Sequence, residues 1–153
     1  MIFQVPECPL FKMLEMERVE FSLPAKKLFS TRIPLRITDM NYSGHMGNDA
    51  LLSIVHEARM QFFRHYGFSE MNLGGPGIIM ADAAIKYVSE AFAHEVLQVE
   101  ISADGFTRVG CSLYYHIHTA NRDVALVRTN IVCFDYEKRK VVSMPEHVKD
   151  MWI

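Results

Sequence analysis

Acid, base and amide side chains are concentrated in one stretch of the chain, RITDMNYSGHMGNDALLSIVHEAR, from Arg36 to Arg59. Asp39, Asn41, His45 and Asn48 follow one another closely, broken by Gly44 and Gly47, with Asp49 next and Glu57 further on. Few local arrangements put so many acid, base and amide groups at the positive end of one helix, where side chains can move a proton and backbone N–H groups can hold negative charge. A helix start supplies such N–H groups, because its first turn leaves them unpaired and the macrodipole makes that end positive. The amides of Gly47, Asn48 and Asp49 occupy that place as candidate substrate-binding groups. Glycine at 47 also lets the backbone approach a substrate closely.

Each side chain also has a structural use. Asp39 and Asn41 share a face if the strand before them continues, so that Asp39 orients whatever Asn41 holds; as a loop residue Asp39 instead caps a turn. His45 orients a water or braces the loop through its second nitrogen. Glu57, among Ile54, Val55 and Ala58, is expected to be paired, or raised in pKa if buried. It is a second candidate base, or an anchor for the loop or a partner subunit. Glu90 is the third candidate carboxylate, or a surface acid before a turn. His116 and His118 share a strand face, but spacing suggests no third ligand, so they are read as solvated and no metal is expected. Gly74-Gly75-Pro76-Gly77 lacks the P-loop lysine and the dinucleotide spacing, and reads as a plain loop.

These residues need elements to hold them. Between Lys27 and Thr38, Phe29, Thr31, Ile33, Leu35 and Ile37 alternate with Ser30, Arg32, Pro34, Arg36 and Thr38, which predicts a strand with one wet face. Pro34 marks an edge or bulge. An earlier strand fits Val19 to Leu23. A helix follows over Asp49 to Tyr66, roughly 27 Å long, with Asn48 as cap and Gly67 in the left-handed position that ends it. Leu51, Leu52, Ile54, Val55, Ala58, Phe62, Phe63 and Tyr66 give it a broad apolar face. Four strand-like runs come next: Ile78 to Val88, Val96 to Phe106, Cys111 to Thr119 and Val124 to Phe134. Turns are expected at Asp104-Gly105, Arg108 to Gly110 and Ala120 to Asp123. A short strand fits Lys140 to Ser143, and Ser143-Met-Pro-Glu146 reads as a capping box before a terminal helix. Residues 1–17 form an irregular extension and 18–153 a single domain. The fold class is α+β, an antiparallel sheet wrapped around one long central helix.

Composition narrows the partners. The 153 residues carry a net charge of −2, and half are apolar, enough for a substantial core. Basic residues are scattered, and Lys138-Arg139-Lys140 reads as a solvated turn, so neither nucleic acid nor a membrane surface is expected as partner. Cys8, Cys111 and Cys133 are odd in number and lack CxxC spacing, which suits a reducing compartment; a cytoplasmic protein is expected. No signal peptide or membrane span is read. The ten methionines and ten phenylalanines fit an ordinary core, the more frequent explanation, or an adaptable apolar tunnel.

The element order and the loop together resemble the hotdog-fold acyl-CoA thioesterases, in particular the hydroxybenzoyl-CoA thioesterase-like branch. That branch shows a loop of the form D-x-D-x-x-G-H-x-N-N and then a helix containing E-A-R. Here the counterpart is Asp39-Met-Asn41-Tyr-Ser-Gly44-His45-Met-Gly47-Asn48, then Glu57-Ala58-Arg59; SEAFAHEVLQV, from Ser89 to Val99, is also similar. The resemblance implies hydrolysis of an acyl thioester through a carboxylate-activated water and a helix-start oxyanion hole. It implies a homodimer or homotetramer, with the acyl site between one protomer's helix and its partner. The substrate is a thioester of coenzyme A or acyl carrier protein, with no further cofactor. Asp39 is then the leading acid, Glu57 and Glu90 are substitutes, and Asn41, His45 and Asn48 orient water or substrate. Two positions depart from the pattern: Gly47 stands for the first of the two asparagines, and Asn41 stands where relatives carry a catalytic Asp, a neutral amide being neither a carboxylate nucleophile nor a base. A binding protein that holds a thioester without cutting it is the alternative. A hotdog hydratase ranks below both, for want of a second motif.

Overall fold

The computed structural model describes residues 17–153. The expected extension therefore lies outside the described residues except for its last position. Strand β1 (Phe29–Pro34) leads through a 3-10 turn at Ile37–Asp39 and a loop into helix α1 (Asn48–His65). Strands β2 (Gly77–Tyr87), β3 (Val96–Asp104), β4 (Gly110–His118), β5 (Asp123–Asp135) and β6 (Lys140–Val141) follow, and helix α2 (Glu146–Trp152) ends the chain. The sheet is antiparallel throughout, ordered β1-β3-β4-β5-β2 with β6 added to β5. This is the expected α+β arrangement.

Periodicity explains how the layers meet. Leu97, Val99 and Ile101 on β3, Leu113, Tyr115 and Ile117 on β4, and Val127 and Ile131 on β5 are buried on one face of the sheet. They form one core with Leu51, Ile54, Val55, Ala58, Phe62 and Phe63 of α1. A two-residue period and a 3.6-residue period each give one apolar face, and the two faces cover each other. At the C-terminal end of α1, Gly67 turns the chain at φ 78°, as the sequence predicts. There Trp152 of α2 packs on Phe62 at 4.9 Å between ring centres and stacks on Phe63 within 2° of parallel. Arg59 is buried in the middle of the helix, and its Nε and Nη2 donate to Glu70 Oε1 at 3.0 and 2.8 Å. That ion pair ties the loop after α1 back onto the helix.

The structure differs from the sequence reading at several points. Val19 to Leu23 alternates but forms no strand. The segment instead lies over the outer face of the sheet, where Phe21 meets Tyr114 edge-on at 6.0 Å between ring centres and Glu20 accepts from Lys86 at 2.7 Å. Strand β1 ends at Pro34, and the turn after it leaves Ile37 71% exposed where alternation placed it inward. Leu52 is also exposed. Ser143 does not cap α2; Pro145 takes the cap position, and the Ser143 hydroxyl accepts from Arg108 at 3.2 Å. Among the described residues no helix is long and apolar enough to cross a membrane.

Candidate active site

The loop between β1 and α1 closes on itself before it feeds the helix. Asn41 Oδ1 accepts the Ser43 N–H at 2.9 Å, Gly44 takes φ 80°, and Asn41 N–H donates to the His45 carbonyl at 2.9 Å. Met40 and Met46 bridge across the base of this turn. A second loop locks it in place, because Met46 N–H donates to the Ala91 carbonyl at 2.7 Å. Arg122 in turn staples that second loop: its guanidinium donates to the Glu90 carbonyl at 3.1 and 2.9 Å and to Glu95 at 2.6 Å. The Glu95 carboxyl is held below the usual carboxylate range, chiefly by this Arg122 hydrogen bond.

Asp39 is turned away from chemistry. Its buried carboxylate accepts the Arg36 backbone N–H at 2.8 Å and the Arg36 Nε and Nη2 at 3.4 and 3.2 Å. Burial pushes this carboxyl up, but the Arg36 hydrogen bonds and charge outweigh it and hold it below the usual carboxylate range. A carboxylate so held takes a proton from water poorly. Nor do Asp39 and Asn41 share a strand face: Asp39 ends the 3-10 turn, and the Asn41 amide serves its own turn. Arg36 stands only three residues before Asp39, but it is the 3-10 turn between them that brings the two side chains together.

The helix start differs from the expectation by one residue. Gly47 is the cap residue and Asn48 the first helical one, with no side-chain cap bond. The Gly47 N–H is spent on the Asp39 carbonyl at 2.9 Å, so it is not an oxyanion donor. The N–H groups of Asn48, Asp49 and Ala50 have no hydrogen-bond partner among the described residues, which is the ordinary state of a helix's first turn. Gly47 is the floor beside them. A Cβ there would lie 2.5 Å from Asp49 Oδ1 and 3.8 Å from Asn41 Cβ. The exposed Asp49 carboxylate therefore folds back over Gly47, whose other side-chain neighbour is Asn41. Tyr87, at the end of β2, closes the far side by donating to the Asn48 carbonyl at 3.1 Å. Burial, then the Asp49 charge, raises the Tyr87 phenol above its ordinary value. No local pattern marks Tyr87; it reaches the site through the β2–β5 register.

The remaining predicted residues divide. His45 and Glu90 come together: His45 Nδ1 donates to the Met46 carbonyl at 3.3 Å, which leaves Nε2 facing Glu90 Oε1 at 3.6 Å. Glu57 is neither buried nor in the loop. It is exposed on α1, accepts from Gln61 at 2.7 Å, and lines a groove of about 370 Å³ between α1 and β1 that also includes Arg36 and Asp39. Cys111 and Cys133 are free and buried, with burial pushing their thiols up to about 12 and about 11, so neither is an active nucleophile. Cys8 lies outside the described residues.

The thioesterase-like superfamily matches residues 35–151, which takes in the loop, the helix and all five strands after it. The chain belongs to this superfamily. Among curated proteins no sequence matches it. The fold is the hotdog fold of solved thioesterases. The 1,4-dihydroxy-2-naphthoyl-CoA thioesterase from Synechocystis superimposes with a TM-score of 0.72 at 20% identity, over 80% of this chain and 93% of that one. A gentisyl-coenzyme A thioesterase gives 0.71 at 15% identity, over 82% and 100%. A hypothetical protein from Aquifex aeolicus gives 0.74 at 21%, over 82% and 99%.

Within a thioesterase-like chain the departure at Asn41 gains a structural context. A carboxylate does stand near position 41, since Asp49 Oδ1 and Asn41 Cβ both lie within 4 Å of the place a Cβ on Gly47 would take. His116 and His118 need a correction too. Glu100 on β3 lies directly opposite His116 on β4, so a third potential ligand is present where spacing along one strand suggested none. The signal was available only through the hairpin register.

Proposed function

We propose that the chain is an acyl-CoA thioesterase in which Asp49, rather than Asp39, activates the water. The observation that carries this reading is the position of the Asp49 carboxylate over Gly47, beside the unpartnered amides of the helix start. The thioester carbonyl oxygen is received by the N–H groups of Asn48 and Asp49. Water attacks the carbonyl carbon as Asp49 takes its proton, giving a tetrahedral oxyanion. The C–S bond then breaks, the carbonyl re-forms, and the departing thiolate takes the proton from Asp49, leaving a free acid and a thiol. His45 and Glu90 flank the site and orient the substrate or water; Asp39 is a positioning residue, holding Arg36 and the loop. Asn41 shapes the turn and flanks Gly47 with its Cβ.

The proposal includes assembly as at least a dimer. Strand β2 is an outer strand of the sheet, and Tyr87, Val88, Leu52 and Tyr42 around the helix start are exposed apolar or aromatic residues. A partner's β2 laid alongside would satisfy the open edge and roof the site. The two buried free thiols suit a reducing, cytoplasmic setting.

Free-thiol release from a panel of acyl-CoAs tests the proposal. The panel should include aromatic acyl groups, because two structural neighbours are named for aromatic acyl-CoAs. Asp49→Asn is expected to lower kcat by roughly 10²–10⁴-fold, while Asp39→Asn leaves the rate per folded molecule largely intact. Collapse in Asp39→Asn with an active Asp49→Asn would return the acid to Asp39. No turnover on any substrate, from folded wild-type oligomer, would replace the enzyme with an acyl-thioester binding protein.

A further inference from the structure

The outer face of the sheet, opposite to α1, holds a second cluster. Glu100 (β3), His116 and His118 (β4) project from neighbouring strands, and one donor atom from each lies within 4.8 Å of the others. His116 Nδ1 is 3.5 Å from Glu100 Oε2, and His118 Nε2 is 3.8 Å from Glu100 Oε1. The two rings lie side by side, 4.6 Å between centres.

The outward nitrogens decide how this cluster is poised. His118 Nδ1 is 3.0 Å from the Thr119 carbonyl, and His116 Nε2 is 2.7 Å from Asp123 Oδ1. Both partners only accept, so each ring spends its N–H outward. In the neutral rings, His116 Nδ1 and His118 Nε2 are left with lone pairs that converge on the Glu100 carboxylate. Three electron-rich donors facing one point call for a cation. Metal-ligating histidines carry this same outer arrangement, with the second ring nitrogen held by a carboxylate or a backbone carbonyl.

We propose that Glu100, His116 and His118 form a binding site for a divalent transition-metal ion of the zinc class, with Asp123 and the Thr119 carbonyl orienting the two imidazoles. Imidazole and carboxylate together favour zinc, copper or nickel over calcium and magnesium. Tetrahedral zinc spaces its donors about 3.3 Å apart; the two histidines now face different oxygens of Glu100, at 3.5 and 3.8 Å, so the carboxylate must turn to offer one oxygen to the ion. The half-exposed position leaves the fourth place to water. The site lies on the far side of the sheet from the helix start and is structural rather than catalytic. It would clamp β3 to β4 and fix the Asp123 turn, whose carbonyl accepts from Ser89 at the start of the loop that carries Glu90. One side chain competes with the metal. Lys27 Nζ donates to Glu100 Oε1 and is the first reason this carboxyl is held below the usual range; a metal ion must displace it or share the carboxylate through Oε2.

The test is zinc titration by calorimetry on full-length protein first stripped with chelator, with cobalt absorption reporting coordination geometry. Wild type is expected to take one zinc per chain. His118→Ala and Glu100→Gln are expected to lose at least about tenfold in affinity, and Asp123→Asn about tenfold through its hold on His116. Lys27→Ala is expected to bind more tightly than wild type, a gain that misfolding does not mimic. The proposal is overturned if wild type takes no zinc, if His118→Ala and Glu100→Gln bind as well as wild type, or if Lys27→Ala weakens binding. None of these readings depends on thioester hydrolysis.

Discussion

The two ends of α1 are built for different purposes. At its C-terminal end, Phe62, Phe63 and Tyr66 close around Trp152, and the chain turns away through a left-handed glycine. Side chains there bury their surface and leave no room. At its N-terminal end the helix begins on Gly47 with no side-chain cap, its first amides unpartnered, and Asn48, Asp49 and Asn41 exposed. An end built only for stability would carry a serine or aspartate cap there, which contributes ~1 kcal/mol. The contrast shows one element anchored at one end so that the other can remain open and polar.

That contrast can be broken from either end. Trp152→Ala should cost ~3–5 kcal/mol in denaturant unfolding, while hydrolysis per folded molecule stays unchanged; a matching loss of rate would mean that the two ends are coupled. Trp152→Phe sharpens the point, because the buried Trp152 N–H has no partner among the described residues and the smaller ring removes it; its cost should be well below that of alanine. Gly47→Ala should do the reverse. Its Cβ would meet Asp49 Oδ1 at 2.5 Å, so the carboxylate must swing aside. The expected loss is up to ~10²-fold in rate, with little change in unfolding.

Between the ends, Glu70→Ala should cost ~2 kcal/mol by leaving the Arg59 guanidinium buried without its carboxylate. Smaller again is the acid response. Burial pushes the Glu70 carboxyl up, but Arg59 and His56 outweigh it, and Arg36 does the same for Asp39, so both are held below their ordinary values. A carboxyl lowered on folding stabilises the fold above its unfolded pKa, and that contribution is lost as pH falls through the lower folded value. Melting temperature should therefore be flat near neutrality and fall below the ordinary carboxylate range, less steeply in Asp39→Asn. A rise on acidification would contradict these pairings.

Much of the fold was legible because periodicity is local. Leu51 to Phe63 and the alternating strands announced which faces meet, and Gly67 announced where the helix stops. What failed was non-local. Val19, Phe21 and Leu23 alternate like a strand, but no residue among them reveals whether a sheet edge is free to receive it. Asp39 looked like an acid because its partner's geometry, a 3-10 turn that brings Arg36 onto both its oxygens, cannot be read from spacing alone. The Asp49 carboxylate was missed for the opposite reason: as a residue of the helix's first turn it already had a sufficient role with the dipole. Glu100 came between two histidines only through the β3–β4 register.

The most direct test of the account is amide NMR on the labelled protein as a non-hydrolysable acyl-CoA thioether is added. The N–H signals of Asn48 and Asp49 are predicted to move most, with Gly47, already bonded to the Asp39 carbonyl, moving less. Largest shifts around Trp152 or along the Glu57 groove, with Asn48 and Asp49 unmoved, would contradict the helix start as the place where the thioester binds.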